Sequence, residues 1–323
     1  MTAEITTDST WVQMRQRLGG TLIKGALTGL AYAARISPHF WKDRSLFNKQ
    51  KDVFYTEHKD HNRSLDIYTP TVGTGPYPTV FFIHGGGFRI CSKDTHWMMA
   101  HTLARKGYLV VSINYRLVPH VRFPIPCQDV CDAFLWTVNH AESIEADLTQ
   151  LFLMGESAGA NLSTMLALAL SNDRPEEWTK SVRSTGVKPI GLIPQCGLLQ
   201  VHEIERYESL DVPTWIADRI QRVALDYLGS PTPELSALAS PLKVIADGDF
   251  DPKALPPVFA PVGDRDPIID DTIKLDEALN RQGVIASAPV YPGGHAFHAM
   301  GTRAAKQCWR DTLRFMKSCL DDR

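Results

Sequence analysis

Three polar residue types, far apart in the chain and each set beside glycine or proline, could together carry out acyl transfer. The first is Ser157, in the run Gly155-Glu156-Ser157-Ala158-Gly159. A serine hydroxyl is a poor nucleophile at neutral pH and needs a base. That base in turn needs an acid to hold its tautomer and stabilise its charge. The G-x-S-x-G spacing suits a sharp strand-to-helix turn, the nucleophile elbow, whose glycines leave room beside a strained backbone. The flanks agree. Leu151 to Met154 is a short apolar run that reads as a buried strand, and Ala160 to Leu170 is rich in helix-forming Ala and Leu. A bare G-x-S-x-G arises by chance in loops; the strand before it and the helix after it give this one its meaning.

An elbow serine is followed in the chain by its acid and then by its histidine. For the acid, Gly263-Asp264-Arg265-Asp266-Pro267-Ile268 offers two carboxylates. Asp266 is favoured, because Pro267 stiffens its loop and removes a competing N–H. Asp264 comes second, and the ordinary role of any loop aspartate is to form a turn or cap a helix. For the base, Gly293-Gly294-His295-Ala296-Phe297-His298 offers two imidazoles. His295 directly follows the glycines and is preferred to His298. Upstream, the apolar strand Thr79 to Ile83 ends in His84-Gly85-Gly86-Gly87-Phe88. A phosphate loop is disfavoured there, since no G-K-[ST] follows. The bland reading is a flexible turn. Beside a nucleophile elbow, such a run supplies half of an oxyanion hole.

These groups can meet only if the intervening chain builds a sheet. Strand signals at Thr79 to Ile83, Tyr108 to Asn114 and the elbow strand alternate with helical segments at Thr95 to Lys106, Asp129 to Asn139 and Ala160 to Leu170. That rhythm predicts a mostly parallel α/β sheet with right-handed crossovers. Alternation around Val53, Tyr55, Leu65 and Ile67 predicts a hairpin at the sheet's edge. Further strands are expected over Pro189 to Ile193, Pro257 to Val262 and Ala288 to Tyr291, and further helices over Thr272 to Gln282 and Arg303 to Cys319. Gln200 to Leu238 breaks the rhythm, with two short helices (Val212 to Arg219, Arg222 to Leu228), and is well placed to cover the site. Thr10 to Arg35 reads as a helix on the body of the protein or as part of a lid.

Composition is that of an ordinary soluble protein: 323 residues, 44% hydrophobic and 22% charged. A net charge of -2 gives no reason to expect nucleic acid or an anionic membrane as partner. The six scattered cysteines form no C-x-x-C pair and read as buried free thiols, which suits a reducing cytoplasm. Met1 to Asp8 is polar and acidic, unlike a signal peptide, and Gly19 to Ile36 carries Lys24 and Arg35, too polar for a membrane span. The reading calls for no cofactor and no metal.

From Thr79 onward the chain resembles the hormone-sensitive lipase-like (bacterial family IV) esterases of the α/β-hydrolase fold. The likeness is carried by His84-Gly85-Gly86-Gly87-Phe88, Tyr115-Arg116-Leu117-Val118-Pro119, the helix from Asp129, Gly155-Glu156-Ser157-Ala158-Gly159, Ser240-Pro241-Leu242, Asp266-Pro267-Ile268 and His295-Ala296-Phe297. It implies Ser157, Asp266 and His295 as triad and the amides of Gly86, Gly87 and Ala158 as oxyanion hole. It also implies a helical cap from residues 1–50 and 200–238 over a core of 51–199 and 239–323. The function implied is hydrolysis of short- to medium-chain acyl esters, small-molecule substrates, through an acyl-enzyme. Amide, carbamate or lactone hydrolysis would use the same triad; a non-catalytic receptor on this fold would be expected to have lost a triad residue. Homodimers through the outer sheet edge are common in the family, and no residue here decides that point. Three positions depart from the family's usual choice: Glu156 for Asp, Ile268 for Leu and Ala296 for Gly. None removes a catalytic group.

Overall fold

A computed structural model describes residues 44–203, 206, 214–229 and 237–322, with residue 29. The helix expected over Thr10 to Arg35 and most of the 1–50 cap segment lie outside the described residues, as do parts of the 200–238 insertion. The hairpin expected near Val53 and Leu65 is present as β1 (Phe47–Phe54) and β2 (Ser64–Pro70), paired antiparallel. Because β1 starts at Phe47, residues 47–50 belong to the main sheet and not to a helical cap.

The remaining strands are β3 (Tyr77–Ile83), β4 (Leu109–Ile113), β5 (Ala146–Glu156), β6 (Gly191–Gln195), β7 (Val258–Phe259), β8 (Val262–Gly263), β9 (Ala286–Ser287) and β10 (Val290–Tyr291). Among the described residues, eight of the ten strands form one sheet in the order β1-β2-β4-β3-β5-β6-β7-β9. The pairs from β4 through β9 are parallel, and β2 joins β4 antiparallel. The other two, β8 and β10, pair in parallel as a small separate sheet. The runs Pro257 to Val262 and Ala288 to Tyr291, each expected as one strand, therefore contribute to two sheets or only in part. A proline cannot donate to a ladder, and Pro261 and Pro289 sit at the breaks.

Alternation along the central strands sends apolar side chains to both faces, which is why helices must cover both. In β3, Val80 and Phe82 join one cluster while Phe81 and Ile83 join the other. Helices α1 (Trp97–Ala104) and α8 (Arg303–Asp321) cover the first face with Met99, Leu103 and Met316. The opposite face is packed by α2 (Ile125–Asn139), α3 (Ala158–Ser171), α6 (Pro241–Asp247) and α7 (Ile269–Arg281), with the short α4 (Lys180–Ser184) alongside. α2 begins four residues ahead of the expected Asp129, because a proline in the first turn lacks only an N–H the helix would not use. Asp129 is instead buried inside it and accepts hydrogen bonds from Arg116 N, Nε and Nη2.

In the insertion, the two expected short helices are one, α5 (Thr214–Leu228). No glycine or proline interrupts it. Its C-terminal half docks on the loop after β3: Tyr227 stacks on Phe88 with centroids 3.8 Å apart and 6° between planes. Arg89 pairs with Asp226 in the same contact. All six cysteines are free; five are buried and Cys91 is half-buried. Among the described residues, no helix is long and apolar enough to cross a membrane.

Candidate active site

β5 ends at Glu156 and α3 starts at Ala158, so Ser157 is the single residue between strand and helix. Its backbone lies at φ 54° and ψ −114°, a strained conformation for a residue with a side chain. The turn is so tight that a Cβ on Gly155 would lie 2.1 Å from the carbonyl oxygen of Gly159. Only glycine fits there. The strain is held by hydrogen bonds from Ser157 N to Gln195 O (2.9 Å) and from Leu198 N to Ser157 O (3.2 Å).

The loops after β8 and β10 bring the other two groups to this point. His295 Nε2 lies 3.0 Å from Ser157 Oγ, and its Nδ1 lies 2.9 and 3.1 Å from the two oxygens of Asp266. Asp266 is buried and also accepts from the N–H of Ile268 at 3.0 Å. Asp264 stands elsewhere: half-exposed, it accepts from Gly293 N at 2.8 Å and so ties the two loops together. His298 is turned away from Ser157, with Nε2 3.0 Å from Glu156 Oε2 and its carbonyl accepting from Trp309 Nε1. Of the four sequence candidates, the structure brings Asp266 and His295 to the serine and leaves Asp264 and His298 in supporting positions.

Burial would lower the pKa of His295, but its side chain keeps 35% exposure at the cavity mouth. The carboxylates of Asp266 and Glu156 prevail and hold it above the ordinary histidine value. Burial would likewise raise Glu156, yet His96 and His298 hold its carboxyl well below the usual range. Glu156 is therefore a fixed negative charge directly before the serine. No local signal in the residue order marks the His96 and His298 contacts, since both partners lie far from the elbow in the chain.

The glycine loop is pinned from below. His84 stacks on Tyr115 (centroids 4.5 Å apart), its Nδ1 lies 2.8 Å from Gly85 O, and Tyr115 donates to His84 O. Burial and the neighbouring His96 push the pKa of His84 down to about 3, so it is a neutral prop. Gly86, at φ 108°, accepts at its carbonyl from the N–H groups of Arg89 and Ile90. A Cβ there would sit 2.2 Å from Ile90 O. With that carbonyl committed, the N–H groups of Gly86, Gly87 and Ala158 donate to no group among the described residues. Ala158 opens α3, where the first amides have no helical acceptor. Gly86, Gly87, Ser157 and His295 border a cavity of about 540 Å³, walled mainly by apolar side chains such as Met98, Ile220, Val223 and Ile268.

Among the described residues, two clusters carry metal-ligand types. Cys196, Asp266 and His295 lie within 4.8 Å of one another, but burial keeps the Cys196 thiol protonated and a poor ligand. Asp52, His61 and Asp94 also converge, and there Lys93 and Lys51 already supply the positive charge.

Comparisons with known proteins point to the same fold. A family model described as the α/β hydrolase fold matches residues 80–299. Ethyl acetate hydrolase of Pseudomonas putida is 28% identical over 260 residues, covering 78% of this chain and 76% of that protein. Carboxylesterase NlhH of Mycobacterium tuberculosis is 26% identical over 262 residues, covering 79% and 77%. Among solved structures, a bacterial heroin esterase superposes with a TM-score of 0.71 at 24% identity, covering 90% of each chain. Esterase B from Lactobacillus rhamnosis gives 0.77 at 19% identity, covering 96% of this chain and 97% of that one. At these identities the structural likeness speaks for the fold.

Proposed function

The chain belongs to the α/β-hydrolase fold family, on its hormone-sensitive lipase-like branch, and from that premise we propose a serine carboxylesterase acting on short- to medium-chain acyl esters. The observation that carries the reading is the continuous contact from Ser157 Oγ through the imidazole of His295 to Asp266, at 3.0 and 2.9 Å. The names of the relatives, a carboxylesterase and an ethyl acetate hydrolase, favour the same class.

In the proposed reaction, Asp266 keeps the proton of His295 on Nδ1, so the Nε2 lone pair faces the serine. Oγ adds to the ester carbonyl carbon as Nε2 takes its proton, and the carbonyl oxygen becomes an oxyanion among the amides of Gly86, Gly87 and Ala158. The imidazolium, stabilised by Asp266 and Glu156, returns that proton to the leaving alkoxide, and the acyl-enzyme remains. Water, deprotonated by His295, then attacks the acyl carbon; as the second oxyanion collapses, the imidazolium returns that proton to Oγ, freeing the carboxylic acid and Ser157.

A fluorophosphonate should label Ser157 and no other residue, as read by peptide mass spectrometry; an unlabelled Ser157 would sink the serine reading. Across p-nitrophenyl acetate, butyrate, octanoate and palmitate, kcat/KM should peak at the short members, since α5 lines the cavity and buried side chains such as Leu198, Val223 and Ile268 bound it. A maximum at palmitate would refute the chain-length part. Gly86→Ala adds a Cβ where Ile90 O already lies, so the loop must shift and its amide leaves the oxyanion position. Turnover of p-nitrophenyl butyrate should fall about 10²–10³-fold. Unchanged turnover would move the oxyanion site off this loop.

A further inference from the structure

Among the described residues, two guanidinium groups line the cavity. Arg265 stands mostly in solvent, 3.6 Å from Asp264. Arg219, from the middle of α5, makes no hydrogen bond or ion pair with any of the described residues. The nearby carboxylates are committed elsewhere. Asp226, two turns further along the same helix, receives both Arg89 and Arg222. Glu156 across the cavity is held by His298 and His96. The pKa of Arg219 is lowered by burial first and then by the like charge of Arg89.

Its place on the helix is informative. Ile216, Arg219, Ile220 and Val223 follow at the i, i+3, i+4, i+7 spacing of one helical face, and all four line the cavity. Val223 abuts the oxyanion loop: a Cβ on Gly87 would come within 2.9 Å of Val223 Cγ2. Arg219 lies one turn, about 5.4 Å, further along the axis. It therefore lines the stretch of cavity that a substrate group a few bonds from the reacting carbonyl would enter. A charge taken from water without a partner is costly, and a guanidinium fork is shaped for a carboxylate. The remaining wall is mainly apolar, so a plain hydrocarbon ester would dry this cation further and give it nothing in return.

We propose that the substrate is an ester carrying a carboxylate, and that Arg219 is the residue that receives it and sets the preference. The inference rests on the esterase reading and narrows its substrate class. The carboxylate could sit on the acyl or the alcohol side, and two matched pairs separate these: p-nitrophenyl hemiglutarate against p-nitrophenyl valerate, and 4-acetoxybenzoate against its methyl ester. Within each pair, the ratio of kcat/KM, anionic over neutral, is compared between the wild type, Arg219→Met and Arg219→Lys, which cancels the esters' intrinsic reactivity. In one pair Arg219→Met should lower this ratio about tenfold to a hundredfold, the value of a charged hydrogen bond, and mainly through KM. Arg219→Lys should restore part of it by keeping the charge without the fork, and it carries the test alone where Arg219→Met does not fold. A ratio that Arg219 variants leave unchanged in both pairs overturns the proposal. Failure of the wild type on all four esters would instead overturn the esterase reading, and this inference with it.

Discussion

Ser157→Ala should lower the hydrolysis of p-nitrophenyl butyrate by about 10⁶-fold, to the level that the remaining amides and the cavity supply by binding alone. The change removes one oxygen from a position whose backbone is already fixed by Gln195 O and Leu198 N. Folding should therefore survive, and alanine fills the same Cβ at φ 54°. The measurement is burst-corrected kcat beside a melting curve. A variant that melts like the wild type and retains more than a small fraction of its turnover would take the nucleophile away from the elbow.

Asp266→Asn should cost about 10⁴-fold in kcat with little change in geometry. An amide in place of the carboxylate can turn its NH2 toward Nδ1, which places the imidazole proton on Nε2, facing Oγ, where a lone pair is required. The pH profile gives a second readout. Asp266 and Glu156 raise the pKa of His295, and only the neutral imidazole can accept the serine proton, so wild-type kcat/KM should fall as pH drops through that raised value. Without Asp266 only Glu156 still raises it, and the acidic limb should move to lower pH. Asp264→Asn removes an acceptor for Gly293 N and should leave both rate and limb close to wild type. The opposite ranking of the two variants would make Asp264 the acid.

Much of this architecture can be read from residue order, because it depends on local signals. The apolar runs of β3, β4 and the elbow strand, and the glycines that follow two of them, are each contained within a dozen residues. The preference for Asp266 over Asp264 and for His295 over His298 came from the same source, proline and glycine punctuation at strand ends. What could not be read depends on distant pairings. Nothing near Glu156 announces that His298 and His96 will close on it, and an acidic residue beside the serine reads equally well as solvated. Pro261 and Pro289 were visible, but that the segments around them would divide between two sheets follows from which neighbours they meet. The residue order suggests two short helices here, whereas α5 runs unbroken, its face at Val223 and Tyr227 packed against the glycine loop and α2.

The two-stranded pairing of β8 with β10 bears on how the site is put together. Asp266 and His295 each leave one of these strands, and the Gly293 N to Asp264 bond fastens their loops a second time. In the proposed mechanism the proton-handling half is thus a prefabricated cartridge, plugged against the large sheet that owns the serine. A disturbance that slides one against the other disconnects Oγ from the imidazole before it parts imidazole from carboxylate, so such a protein would fall silent while both of its halves are still whole.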